Sequence, residues 1–228
     1  MDTNKIKAVI FDMDGTTFDT ERLSTEGWRE AGKKIGYPLT EELIADFRGN
    51  NNAVISSKLV AYGYSEEMAE MGWHLRDAYA RDYVNTYGVP LKPGLFALLD
   101  FLKEKNITMA LSTGSDKDRA VNFCTKAGIV PYFDAWVFGN EIPVGKPDPS
   151  SFLITVEKLG LDPSDCLVIE DSFNGVIAAK RAGCKVIMIP DQDAPTPEIT
   201  EMCDAVLDTL DKVRVFFGGS HDESEDTL

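Results

Sequence analysis

The spacing of apolar residues changes twice along the chain. The run "IKAVIF" at 6–11 is short and continuously apolar, which predicts a buried β-strand. Between about Thr20 and Thr86 apolar residues recur at helical spacing instead, and we predict no strand there. After "VPLKPG" at 89–94, short apolar runs alternate with helical periods. The pattern therefore predicts one strand, a long helical block, and then alternating helices and strands.

The predicted elements can be placed along the chain from these periods and from their start and stop residues. In the helical block they are "ERLSTEGWREAGKKIG", "LTEELIADF", "AVISSKLVAYG" and "SEEMAEMGWHLRDAYARDYVNTYG", the second of which opens at Thr40, a residue of the capping type. In the alternating part, helices are predicted at 95–104, 117–127, 150–159 and "GVIAAKRA", and strands at "ITMALS", "AWVF", "CLVIE" and "KVIMI".

Alternating strands and helices are typical of parallel β-α-β units with right-handed crossovers. We therefore predict an α/β fold whose core is a doubly wound parallel sheet covered on both faces, with the helical block inserted after the first strand. The predicted boundaries are 1–17 and 88–217 for the α/β core, 18–87 for the all-helical insertion, and 218–228 for an acidic flexible tail.

Composition narrows the range of partners. The chain has 228 residues, of which 43% are hydrophobic, so there is enough apolar material for a buried core. The formal net charge is −15 and Lys and Arg form no extended cluster, so we expect no nucleic-acid binding. The apolar run at 8–11 is too short for a signal peptide or a membrane span. We predict a cytoplasmic protein that does not interact with membranes.

Cysteine and histidine usage excludes several kinds of site. The four cysteines are widely separated and form no C-x-x-C pair, which favours free thiols in a reducing compartment. Only two histidines occur, and one of them lies in the tail, so a His-centred triad is not expected. The chemistry of the protein must therefore rely on carboxylates, hydroxyls and amines.

Polar residues of complementary chemistry follow successive predicted strands. In an open parallel sheet the ligand site lies beyond the carboxyl ends of the strands. These ends deliver Asp12 and Asp14 in "DMDGT", Thr113 and Gly114 in "STGS", Lys146 in "VGKPDP", and Glu170 and Asp171 in "EDS". We therefore expect these side chains to converge at one edge of the sheet.

Each of these segments also has a purely structural explanation. D-x-D-G is a common turn, Ser115 is suited to cap the helix that follows it, and Lys146 could be a solvated turn residue. Glu170 and Asp171 could be acids placed favourably at a helix N-terminus. Four independent turns seldom supply such a complementary set at one sheet edge, and this conjunction favours a functional site.

The chemistry of the set points to phosphoryl transfer. Clustered carboxylates need a cation, and an all-oxygen ligand set suits Mg²⁺. Lys146 and the Thr113 hydroxyl can bind phosphoryl oxygens. A carboxylate in line with phosphorus can act as a nucleophile and form an aspartyl-phosphate, while a second acid two residues on can move the proton.

With these motifs in order, "FDMDGTTFDT", "LSTGS", "GKPDP" and "EDSFNG", the sequence resembles the haloacid dehalogenase superfamily, in its beta-phosphoglucomutase-like branch. The resemblance covers nearly the whole chain apart from the tail. It implies that the insertion at 18–87 is a mobile helical cap. It also implies that Asp12 is the nucleophile and a Mg²⁺ ligand, and that Asp14 is the general acid/base and binds the metal through its backbone carbonyl. Asp19 would lie outside the catalytic pair and fix the loop between core and cap.

The remaining motif residues would bind the phosphoryl group and the metal. The resemblance implies that Thr113, with Gly114, and Lys146 hold the transferring phosphoryl group. It also implies that Asp171 completes the metal ligands, with Glu170 in or next to the first coordination sphere. The predicted function is that of a Mg²⁺-dependent phosphatase acting on a small phosphorylated metabolite through an aspartyl-phosphate.

Residues of the insertion bear on the choice between hydrolysis and isomerisation. Sugar mutases of this branch carry a His about a dozen residues after the nucleophile, where this chain has Ser24, which favours a hydrolase. Arg48 and Asn50 would suit a sugar-like leaving group, or the asparagines could simply cap the helix that begins near Asn52.

Other functions stay open at this point. A beta-phosphoglucomutase-type sugar phosphate mutase is the nearest alternative. A phosphoacceptor signalling domain uses a similar residue set, but such a domain is about half as long and does not need the second acid of D-x-D. A binder that has lost activity is disfavoured because the motif residues are intact.

Overall fold

The computed structural model describes residues 2–47 and 52–219, and it describes the side chains of all of these except 52 and 53. Arg48, Asn50 and all but the first two residues of the predicted tail therefore lie outside the described residues. The chain divides into two compact units, with the boundaries between Phe18 and Asp19 and between Pro90 and Leu91. We call the second unit, residues 19–90, the helical insertion, and the first unit the core.

The core contains a sheet of six parallel strands in the order β3-β2-β1-β4-β5-β6. The strands are β1 Ala8–Phe11, β2 Thr108–Ser112, β3 Ala135–Val137, β4 Cys166–Glu170, β5 Lys185–Met188 and β6 Ala205–Val206. Neighbouring strands β1 and β4 are far apart in sequence, so a crossover separates them. The predicted doubly wound α/β fold is confirmed.

The helices of the core are α5 Leu95–Glu104, α6 Lys117–Ala127, α7 Ser150–Leu159, α8 Phe173–Arg181, α9 Pro197–Met202 and α10 Leu210–Phe216. One face of the sheet, with Ile10 of β1 and Val168 of β4, packs against α7, α8 and α9. The alternate residues of the same strands are also fully buried. Burial on both faces explains why these strands are continuously apolar. The sequence pattern missed β6, α9 and α10, which are too short to show a period.

The helical insertion consists of α1 Thr20–Ile35, α2 Glu41–Ala45, α3 Asn52–Tyr62 and α4 Glu66–Tyr87 in its described part. These helices enclose an aromatic cluster centred on Trp28, which is 2% exposed and has Phe47 and Trp73 at ring-centroid distances of 5.2 and 4.8 Å. The Thr40 hydroxyl accepts a hydrogen bond from the Leu43 backbone N–H, so Thr40 caps α2 as its position suggests.

The boundary residues explain why the insertion begins and ends slightly later than the predicted range of 18–87. Phe18 pairs with Leu91 in an antiparallel bridge, and the Lys92 backbone N–H donates to the Thr17 carbonyl oxygen. These bonds keep Phe18 and Leu91 in the core. Of the helices in the described ranges, none combines the length and apolarity needed to cross a bilayer.

Candidate active site

The loop after β1 carries Asp12 at the carboxyl edge of the sheet. Its backbone N–H donates to the Ile169 carbonyl oxygen on β4 at 3.0 Å, and its side chain is buried, with 6% of the residue exposed. The loop turns at Gly15, where φ is +84°. A Cβ at Gly15 would overlap the Asp171 carboxylate. Glycine is therefore required there both for the backbone angle and for the close approach of the β4 loop.

Lys146 joins two carboxylates from neighbouring strands. Its Nζ lies 2.5 Å from Oδ1 of Asp12 and 2.6 Å from Oε1 of Glu170. Burial opposes the charge on the ammonium group, but the two carboxylates outweigh it and raise the pKa of Lys146 above its ordinary value. Lys146 is therefore a fixed positive charge beside Asp12.

The electrostatic environment of Asp12 is dominated by burial. Burial raises the pKa of Asp12 to about 8, Lys146 acts in the opposite direction, and the negative charges of Glu170 and Asp14 add to the rise. Positive charge added next to Asp12 would favour its ionised form, which is the nucleophilic one.

Glu170 is the most deeply buried acid of the site, at 1% exposure. While Oε1 accepts from Lys146, Oε2 accepts from the backbone N–H groups of Asp171 and Ser172 at 2.8 and 2.7 Å and from the Ser172 hydroxyl at 2.9 Å. A Cβ at Gly175 would overlap this carboxylate, which explains the glycine of "EDSFNG". Both oxygens of Glu170 are thus engaged in holding Lys146 and the start of α8.

Asp171 faces the loop after β1. Its Oδ1 accepts a hydrogen bond of 2.9 Å from the Thr16 hydroxyl, and its carboxylate lies against Gly15. The ends of β1 and β4 therefore bring Asp12, Glu170 and Asp171 together, as expected for adjacent parallel strands.

Thr113 lies at the end of β2 and is 1% exposed. Its backbone N–H donates to the Val137 carbonyl oxygen at 3.0 Å, and its hydroxyl oxygen accepts from the Ser115 backbone N–H at 3.0 Å. Gly114, between them, is exposed. These bonds define the backbone of the loop that leads into α6.

The carboxylate of Asp14 is bound by two residues of this loop and helix. Ser115 Oγ donates to Oδ2 at 2.7 Å, and the Arg119 guanidinium donates to Oδ1 at 2.7 Å and to Oδ2 at 3.1 Å. The expectation that Ser115 caps α6 is wrong: Asp116 is the N-terminal flanking residue, and the Ser115 hydroxyl is directed to Asp14 instead.

Arg119 was not among the predicted site residues. The sequence did contain an indication, because Arg119 lies in the first turn of α6, where the helix dipole disfavours a positive charge. An anionic partner offsets this unfavourable position, and in the structure Asp14 is that partner.

Comparison with known families identifies the family of this chain. The model for haloacid dehalogenase-like hydrolases matches residues 6–183. The chain belongs to the haloacid dehalogenase-like hydrolases. The predicted family and the predicted enzyme class, a hydrolase of haloacid dehalogenase type, are confirmed.

Individual relatives of this family cover most of the chain. This chain is 33% identical to the "Phosphorylated carbohydrates phosphatase" of Thermotoga maritima, over 80% of this chain and 84% of the relative. It is 29% identical to the "Beta-phosphoglucomutase" of Bacillus subtilis over 78% of this chain and 80% of the relative. A solved haloacid dehalogenase hydrolase of family IA, variant 3, from Entamoeba histolytica is 27% identical, with a TM-score of 0.79 over 91% of this chain and 95% of that one.

Two predicted positions lie in the insertion of this haloacid dehalogenase-like chain. The Ser24 hydroxyl oxygen accepts hydrogen bonds from Arg76 of α4, the shorter from Nη2 at 2.9 Å. Asp19 is the residue before α1; its backbone N–H donates to the Pro90 carbonyl oxygen and its carboxylate accepts from Arg22. Asp19 thus lies where the chain enters and leaves the insertion.

Across residues 2–47 and 52–219, no three side chains of the types His, Cys, Asp and Glu are grouped as a metal-binding cluster. Instead, cationic side chains contact the predicted ligands: Lys146 lies between Asp12 and Glu170, and Arg119 binds Asp14. With Asp171, which binds Thr16, the site holds four carboxylates and these two cationic side chains, so negative charge predominates there.

Proposed function

We propose that this protein is a Mg²⁺-dependent phosphatase of small phosphorylated carbohydrates that works through an aspartyl-phosphate on Asp12. The observation that carries the proposal is the buried Asp12 carboxylate, 2.5 Å from Lys146, at the carboxyl edge of the sheet. Family membership and the phosphatase activity named for the Thermotoga maritima relative support it.

In the first half-reaction Asp12 attacks the phosphorus of the phosphomonoester. A bond forms between a carboxylate oxygen of Asp12 and phosphorus, the bond from phosphorus to the substrate oxygen breaks, and Asp14 supplies the proton that the leaving oxygen takes up. Lys146 and the Thr113 hydroxyl bind the phosphoryl oxygens and stabilise their charge. Gly114, exposed beside Thr113, leaves room for the substrate.

In the second half-reaction water attacks the phosphorus of the aspartyl-phosphate. Asp14 takes a proton from this water, the bond between phosphorus and Asp12 breaks, and inorganic phosphate leaves. Asp12 is restored as a carboxylate and Asp14 holds the proton for the next substrate. Both steps use the same two acids, which lie two residues apart on one loop.

The residues present fit Mg²⁺. Gly15 allows the Asp171 carboxylate to reach the loop that carries Asp12, and the set of carboxylate oxygens and the Asp14 backbone carbonyl is of the kind Mg²⁺ prefers. We assign Asp12, Asp171 and the Asp14 carbonyl as its protein ligands. When bound, the cation neutralises the excess negative charge and polarises the phosphoryl oxygens. We assign Glu170, whose oxygens bind Lys146 and the start of α8, to a position next to the metal ligands.

Hydrolysis is favoured over isomerisation by the residue in α1. Ser24 stands where the mutases of this branch carry His, and a serine hydroxyl bonded to Arg76 cannot replace an imidazole as a proton carrier at neutral pH. Arg48 and Asn50, outside the described residues, stay predicted contacts for a polar leaving group. The cytoplasmic location also stays a prediction.

The test is release of inorganic phosphate from a panel of sugar phosphates, polyol phosphates and other small phosphomonoesters, with Mg²⁺ and with EDTA. We expect activity with Mg²⁺ on carbohydrate phosphates and a loss of about 10⁴-fold or more in Asp12→Asn, because the nucleophile is removed. Asp165→Asn, which changes an exposed pair with Lys7, is the matched control and should keep full activity.

Three outcomes would contradict the proposal. Phosphate release that is unaffected by EDTA would show that the reaction does not depend on Mg²⁺. Full activity of Asp12→Asn would show that the reaction does not pass through an aspartyl-phosphate on Asp12. Conversion of a sugar 1-phosphate to its 6-phosphate, without net phosphate release, would establish a mutase instead.

A further inference from the structure

Three hydrogen bonds from one short segment hold the Asp14 carboxylate. We call Ser115 and Arg119 together the Asp14 clamp. Arg119 donates through two different nitrogens to the two oxygens, a bidentate geometry, and Ser115 adds a third bond to Oδ2. Arg119 Nη1 is also in hydrogen-bond contact with Ser115 Oγ, so the two members of the clamp support each other.

The position of Arg119 is itself fixed by packing in the core. Its guanidinium carbon lies 5.1 Å from the ring centroid of Phe123, one turn further along α6. Phe123 is 3% exposed and packs edge-on against Phe18, with ring centroids 6.2 Å apart. Packing on the buried Phe123 ring already restricts the Arg119 side chain. The guanidinium therefore loses little further conformational freedom when it binds and orients the Asp14 carboxylate.

The clamp also shares a loop with the predicted phosphoryl-binding residue. The Ser115 backbone N–H donates to the Thr113 hydroxyl oxygen, while the Ser115 side chain donates to Asp14. Any displacement of this loop would therefore move the phosphoryl-binding hydroxyl and the carboxylate together.

The three hydrogen bonds from Ser115 and Arg119 fix the direction in which the two carboxylate oxygens of Asp14 point. A general base needs such a fixed orientation, because the water proton has to pass to a defined oxygen. We propose that Ser115 and Arg119 are positioning residues that hold Asp14 as the general base for hydrolysis of the aspartyl-phosphate. In that step a water oxygen bonds to phosphorus, the bond from phosphorus to Asp12 breaks, and the water proton passes to Asp14. The inference rests on the proposed function and assigns the clamp to its second half-reaction.

The two half-reactions can be separated with p-nitrophenyl phosphate. Its leaving group departs without a proton, so formation of the aspartyl-phosphate does not need Asp14 as an acid, and kcat/KM reports that first step. In Arg119→Met we expect kcat to fall about 10- to 100-fold, as for a displaced general base, while kcat/KM stays within about threefold of wild type. KM should fall in parallel with kcat.

Accumulation of the intermediate gives a direct readout. In a rapid-quench experiment Arg119→Met should release a burst of about one p-nitrophenol per active site before the slow steady state. The phosphorylated protein should be detectable by intact mass in the same samples. A purely structural defect would lower the burst amplitude and kcat/KM together.

Variants that remove smaller parts of the Asp14 clamp should lower kcat by smaller amounts. Ser115→Ala removes one of the three donors and should lower kcat less than Arg119→Met does, again with kcat/KM unchanged. Arg119→Lys keeps the charge but not the bidentate geometry and should restore part of kcat. Lys126→Met removes a positive charge from the exposed last turn of the same helix and should leave kcat and kcat/KM unchanged.

The inference is overturned if kcat and kcat/KM fall together in Arg119→Met and in Arg119→Lys, or if kcat does not change in either. The proposed function fails separately, since wild type would then release no phosphate or Asp12→Asn would stay active. If Arg119→Met does not fold, as judged by circular dichroism, the same kcat against kcat/KM comparison in Ser115→Ala and Arg119→Lys decides the question.

Discussion

The carboxyl edge of the core and the aromatic cluster of the helical insertion are both buried, but their buried side chains differ in polarity. At the core edge the buried side chains are polar and charged, with Asp12 and Glu170 held by Lys146. In the insertion, Trp28 and Phe47 are buried among apolar neighbours. At the first, a lost partner leaves a charge buried; at the second, a lost side chain leaves a cavity. The same degree of burial therefore has different consequences.

The largest effect is expected for Lys146→Met. The substitution keeps the length of the side chain but leaves two buried carboxylates without their ammonium partner, which costs about 3–5 kcal/mol of unfolding free energy. Activity should also fall about 10³-fold, since the charge beside the phosphoryl group is lost. Urea denaturation and phosphate release measure the two effects.

The matched control for this substitution is Lys158→Met. Lys158 forms an ion pair of 2.7 Å with Glu141 in which both side chains are more than a third exposed. An exposed pair contributes only about 0–1 kcal/mol, so stability and activity should change little. Equal losses in the two variants would show that burial does not distinguish the core edge from the surface.

Trp28→Ala should destabilise the insertion by about 3–5 kcal/mol, because a fully buried aromatic ring is replaced by a cavity. Hydrogen exchange followed by mass spectrometry should show faster exchange in α1 and α4. Trp28→Phe, which keeps a ring, should cost less. If exchange in β1 and β4 rose as much as in α1, the two compact units would not be energetically separate, and the comparison drawn above would fail.

Gly175→Ala is expected to give the smallest effect of the three. A Cβ at this position would overlap the Glu170 carboxylate, and relief of that overlap should cost about 1–3 kcal/mol of stability. Because Glu170 holds Lys146, kcat should fall as well. Gly145→Ala, where a Cβ meets no atom within 4 Å, is the control. An unchanged kcat in Gly175→Ala would show that catalysis does not depend on how Glu170 holds Lys146.

Much of the core was predictable because its elements are long enough to show a period. The helices at 95–104, 117–127 and 150–159 have the predicted bounds, and β4 coincides with "CLVIE". Each of these segments is flanked by Gly, Pro or a polar residue that marks its end. The two-residue β6 carries no such pattern, so no inspection of the local sequence could reveal it.

The roles of side chains within the site were less accessible. Ser115 has the chemistry of a helix cap, and only its distance to Asp14 shows that its hydroxyl is used elsewhere. Arg119 and Asp14 are separated by 105 positions, and no local rule pairs them. Glu170 has the chemistry of a metal ligand, yet its two oxygens accept bonds from Lys146 and the start of α8.

The sequence by itself determined the α/β class, the helical insertion and the polar residues that end the strands, because these depend on the spacing of apolar residues and on local chemistry. It also determined the family, through four motifs in order. Only the tertiary structure decided the strand order, the bond of Lys146 to both carboxylates and the clamp on Asp14. These features are contacts between distant segments, and which partner a charged group selects is set by three-dimensional distance and burial.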